Sequence, residues 1–210
     1  DASGPIRSVA IGRKGNLLGR QLIGKPLLEK AYPYRYFLIC LLCVFWMGVG
    51  DGGFLVIVVG YLENQNLAVS LIGLTMAFLS IVEGIFNLLT GFLYQGNHEK
   101  RFIQYGALLL AAGIFVFALQ PVGLAIWLGI ALNAAGTGVL TVMIYTTAQA
   151  NLPKSTRTGL AVGLYTACIA LGMSIGSPLV GYLTDTFGYP TAFFTCGFIV
   201  TGISLTAALL

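Results

Sequence analysis

From Tyr36 onward the chain carries Lys or Arg at only four positions, Lys100, Arg101, Lys154 and Arg157, and the stretches around them are long and apolar. These stretches lie at about 36–61, 68–94, 102–119, 122–150, 159–183 and 191–210. Crossing about 30 Å of hydrocarbon takes about 17 to 25 helical residues, so each stretch predicts one transmembrane helix. Charged residues make up 9% of the chain, against about 25% in a soluble domain. The expected fold class is therefore an all-α integral membrane protein with six transmembrane helices.

The basic residues also predict topology. Arg7, Arg13, Lys14, Arg20, Lys25, Lys30 and Arg35 precede the first span; Lys100 and Arg101 follow the second, and Lys154 and Arg157 follow the fourth. All fall on one side if the helices alternate, which predicts a cytoplasmic N-terminus and, with six spans, a cytoplasmic C-terminus in a plasma or inner membrane. The formal charge of +4 thus follows the lipid bilayer and gives no reason to expect a nucleic-acid partner. Residues 1–35 read as a basic cytoplasmic tail or linker, and 36–210 as the bundle. Tyr32, Tyr34, Tyr36 and Phe37 supply the aromatic anchor where the first span enters. The missing initiator Met and the apolar end at Leu210 are those expected of a piece of a longer protein.

Two acids lie within the apolar stretches. Glu83 belongs to a row, Ser80, Glu83, Asn87 and Thr90, whose steps of three and four stack it on one helix face. Asp51 sits among Gly48, Gly50, Gly52 and Gly53 in the first span. Counted from opposite ends, both acids reach a similar depth near the bilayer middle at about 1.5 Å per residue. A carboxylate there is tolerated facing a bundle interior or a water-filled path, which makes both candidates for proton coupling. In the fourth span Asn133, Thr137, Thr141 and Tyr145 step by four. Together with Asn87 they are the candidate substrate-cavity residues.

The remaining features concern packing. Gly172 and Gly176 form a small-residue helix contact, and Pro178 predicts a kink or hinge. The third span is nearly bare of polar groups. Cys40, Cys43, Cys168 and Cys196 lie inside spans and read as small buried hydrophobes. His98 is the single histidine and lies in a charged turn. No metal site, cofactor or catalytic set is expected. A weak repeat pairs Leu89-Thr-Gly91-Phe-Leu-Tyr-Gln95 with Leu179-Val-Gly181-Tyr-Leu-Thr-Asp185, and Gly48-Val-Gly50 with Gly136-Thr-Gly138. Three helices followed by three in opposite orientation is an inverted-repeat plan used by secondary transporters.

The turn Gly91-Phe-Leu-Tyr-Gln95-Gly-Asn-His-Glu-Lys100-Arg101 resembles the motif between the second and third helices of the major facilitator superfamily. Gly91, Leu93, Lys100 and Arg101 fit that pattern, while Gln95 stands where an acid is usual. Arg157-Thr-Gly159-Leu-Ala-Val-Gly163-Leu-Tyr165, followed by Gly172, Gly176, Ser177, Pro178 and Gly181, is similar to the superfamily's fourth turn and Gly/Pro-rich fifth helix. The arginine often found before the fourth helix's Gly-x-Gly is absent. These departures are commoner in the second half of such transporters, so the resemblance is to one six-helix half, by preference the C-terminal one.

This resemblance implies a 3+3 inverted-repeat bundle in which the first and fourth helices line a cavity and the second and fifth face another half. Gly91, Gln95, Lys100 and Arg101 become gating-loop candidates. The implied partners are a second six-helix half, in the same polypeptide, a homodimer or a separate chain, and a small-molecule substrate. The implied function is secondary active transport by alternating access, proton-coupled as symport or antiport. A non-transporting assembly or scaffold subunit of a larger membrane complex is the alternative.

Overall fold

The computed structural model describes residues 32–94, 99–150 and 158–207. The described residues form six helices: α1 (Tyr32–Asn64), α2 (Val69–Leu93), α3 (Glu99–Ala118), α4 (Leu124–Ala150), α5 (Thr158–Phe187) and α6 (Tyr189–Ala207). Five are long and apolar enough to cross a membrane. In α6 the apolar stretch Tyr189–Ile203 is shorter. The whole of α6 has 19 residues and so extends about 28 Å, close to the hydrocarbon thickness.

Helix ends follow local chemistry. The chain leaves α1 through Asn66 and α3 through Gln120, both with φ in the left-handed region, at 56° and 54°. Gly188, with φ of 82°, makes the single-residue break between α5 and α6. The sequence placed that break at 184–190, but α5 runs on to Phe187 because Thr184-Asp185-Thr186-Phe187 holds no Gly or Pro. The α1 helix is already formed at Tyr32, ahead of the apolar stretch that starts at Tyr36.

The two triplets interlock. On α1, a Cβ added to Gly48 would lie 2.4 Å from the Ile169 carbonyl oxygen of α5, and one on Gly50 would lie 2.2 Å from Val200 of α6. On α4 the equivalent pair is exchanged. A Cβ added to Gly136 would lie 2.3 Å from the Leu110 nitrogen of α3, and one on Gly138 would lie 2.7 Å from the Glu83 carbonyl oxygen of α2. The lead helix of each triplet therefore packs on the two followers of the other. Gly91 and Gly181, the other pair in the sequence repeat, also match, since a Cβ on either would meet nothing within 4 Å.

Between these seams lies a cluster of rings. Phe54 and Tyr61 of α1 pack edge-on against Phe117 of α3, with centroids 5.4 and 6.0 Å apart, and Phe193 of α6 closes the group. The buried Tyr61 hydroxyl donates to the Pro121 carbonyl oxygen at 2.8 Å, tying α1 to the turn after α3. Cys40, Cys43 and Cys196 are buried and free, and Cys168 is half-buried and free. Exposure is uneven: only 17% of the apolar window of α2, and 17% of that of α5, is buried, against 61% for α1 and for α4.

Candidate functional site

A cavity of about 430 Å³ opens between α1, α2, α4 and α5. Each helix contributes residues spaced four apart. α1 supplies Met47, Asp51 and Leu55; α2 supplies Met76 with Ser80 and Leu79 with Glu83; α4 supplies Thr137 and Thr141; α5 supplies Tyr165, Ile169 and Met173. Spacing of this kind is what a straight helix needs to present one row to one space.

Asp51 and Glu83, read from the sequence as two acids at one depth on different helices, thus share a single cavity. Thr137 and Thr141 face the same space. Asn133 does not line it: the residue is fully buried, and neither its side-chain nitrogen nor its side-chain oxygen has a hydrogen-bond partner among the described residues. Its backbone lies against Gly113 of α3. Tyr145 does not line the cavity either, but its ring packs edge-on against Tyr165 at 5.4 Å, and its hydroxyl receives the Gln149 amide at 2.6 Å. The four-residue step explains both cases. At 3.6 residues per turn each step of four drifts about 40°, so a row of four spans about 120° and only its middle faces one direction.

On α2 the row is limited by depth. Ser80 and Glu83 line the cavity, whereas Asn87 lies about 6 Å further along at 1.5 Å per residue, where α2 closes on α4 at Gly138. The Asn87 side-chain oxygen is buried there without a partner among the described residues. Thr90 is buried deeper still.

Three of the other expectations concern packing. Gly172 and Gly176 on α5 meet the α1 backbone, a Cβ on the latter falling 2.1 Å from the Val49 carbonyl oxygen. Ser177 adds a hydrogen bond to the Gly52 carbonyl oxygen at 3.1 Å. Pro178 is exposed within a continuous helix. In the last turn of α2 Gly91 is exposed, and Lys100 and Arg101 are exposed at the start of α3. There the Tyr94 hydroxyl donates to Glu99. Gln95 and His98 lie outside the described residues, as do Lys154 and Arg157.

Tyr165 and the methionines escaped the sequence reading as cavity residues. Their signal was the step of four through Tyr165, Ile169 and Met173, a row that is mostly apolar. Apolar residues line lipid and cavity alike, so periodicity alone cannot separate them.

A helical bundle with acids and hydroxyls on a cavity among membrane-length helices is a polytopic membrane protein with room for a small solute. The chain belongs to the Major Facilitator Superfamily, whose family model matches residues 40–210. It is 28% identical over 130 residues to an uncharacterized MFS-type transporter of Methanocaldococcus jannaschii, a match covering 61% of this chain and 33% of that protein. A staphylopine export protein of Staphylococcus aureus is 29% identical over 154 residues, covering 71% and 38%. The crystal structure of the POT family transporter PepTSo superposes with a TM-score of 0.70 at 19% identity, over 83% of this chain and 37% of that one. The fold is thus shared with a transporter, and the matched region spans between 33% and 38% of these relatives' length.

Proposed function

We propose that the chain forms one half of a secondary active transporter, with its solute site in the cavity and Asp51 and Glu83 as the proton-coupling pair. The observation that carries this reading is the convergence of both intramembrane acids, from two helices, on one space of about 430 Å³. Such groups in a membrane mark substrate or proton routes. The exposed faces of α2 and α5 then receive a second six-helix half. Rocking of the two halves would open the cavity to either side, with both termini cytoplasmic.

The test is flux in proteoliposomes containing the full gene product, driven by an imposed pH gradient. Asp51→Asn or Glu83→Gln is expected to abolish pH-driven flux while leaving insertion and thermal midpoint intact. Undiminished flux in both variants overturns the coupling role. Copurification with a fixed partner and no flux of any solute favours the assembly-subunit alternative.

A further inference from the structure

The cavity offers a ligand many acceptors and almost no donors. Its two charged lining residues are both acids, and among the described residues no Lys, Arg, His, Asn, Gln or Trp lines it. Its hydroxyl protons are largely engaged by the protein's own backbone. Ser80 donates to the Met76 carbonyl at 3.3 Å, Thr137 to the Asn133 carbonyl at 3.1 Å, and Tyr165 to the Thr141 carbonyl at 3.4 Å. Thr141 has the one lining hydroxyl not so used among the described residues. A ligand bearing carboxylate, phosphate or many carbonyl oxygens would lose its water here and find few donors in return.

The rest of the wall is soft and apolar. Three of the chain's four methionines, Met47, Met76 and Met173, line this space, each from a different helix. Methionine is unbranched and polarizable, and it adapts to differently shaped apolar partners. The Tyr165 ring adds a face suited to a positive charge. A sugar or other polyhydroxylated solute, which needs polar partners around its whole perimeter, is poorly served by such a wall.

We propose that the cavity selects an organic cation with an apolar body, the charge held by Asp51 and Glu83 and the body by the three methionines and Tyr165. This assignment rests on the cavity being the solute site, as proposed above. Its volume falls within the range of about 300–1,000 Å³ usual for small-molecule pockets. The methionines predict tolerance of several body shapes, and the two acids intolerance of reversed charge.

Tetraphenylphosphonium and tetraphenylborate have nearly the same shape and opposite charge, which isolates this term. Equilibrium binding of each to the full gene product in lipid nanodiscs is measured against empty nanodiscs. Saturable binding of the phosphonium alone is expected, weakened at least tenfold by Asp51→Asn or Glu83→Gln and severalfold by Met76→Gln. Comparable saturable binding of the borate, or no saturable binding of the phosphonium, overturns the proposal. So does phosphonium affinity unchanged in both carboxamide variants. The wild-type comparison decides the matter even if a variant fails to insert. Selective cation binding without flux would defeat the transport reading and leave this one, whereas proton-driven flux without cation selectivity would do the reverse.

Discussion

Asn133 and the glycines show most directly how single side chains divide between fold and site. The sequence made Asn133 a cavity residue, the first in a polar row, but the structure buries it against α3 with its side-chain polar atoms unpartnered among the described residues. An unpaired buried amide costs about 1–3 kcal/mol. Asn133→Leu, similar in size, is therefore expected to keep or raise the thermal midpoint and to leave ligand binding unchanged; a marked loss of either would show that the amide has a partner in function. Glycines differ as sharply. Gly176→Ala would drive a Cβ into the Val49 carbonyl, whereas Gly163→Ala meets open space. The first is expected to destabilise by about 1–3 kcal/mol, as overpacking does, and the second to leave the melting curve where it is.

At the scale of elements, the α1–α5 seam joins packing to the site. The same two helices that touch through Gly48, Gly172 and Gly176 present Asp51, Ile169 and Met173 to the cavity. Close backbone approach in lipid relies on small residues and interhelical hydrogen bonds, and Ser177 to the Gly52 carbonyl is one such bond. Ser177→Ala is expected to cost about 1 kcal/mol of stability, read as a lower midpoint in detergent, and to loosen the cavity's α5 wall. An unchanged midpoint would assign the seam to glycine packing alone. The rows on α2 and α4 teach a related lesson. Spacing identified the correct faces, but helical drift and the closing of α2 on α4 removed Asn87, Asn133 and Tyr145 from the lining.

For the whole molecule, the incomplete burial of α2 and α5 is the main fact. Gly91 and Gly181 occupy matching places in the sequence repeat, and both face open space. If a second half covers α2 and α5, Gly91→Leu and Gly181→Leu should leave the six-helix bundle inserted and its midpoint unchanged while reducing flux by at least tenfold. Retained flux in both would mean that the second half approaches elsewhere.

The sequence alone determined the number and order of the helices, because a hydrocarbon slab demands long uncharged runs and excludes basic residues from them. It also located both acids and the repeat, since charge in lipid and glycine spacing stand out against apolar sequence. Only the tertiary structure decided which residues share a space. Tyr165 and the three methionines became a cavity wall, and Asn133 a packing residue, through the crossing of four helices. Hydrophobic periodicity cannot register that crossing, because an apolar side chain looks the same whether it meets lipid, another helix or a solute.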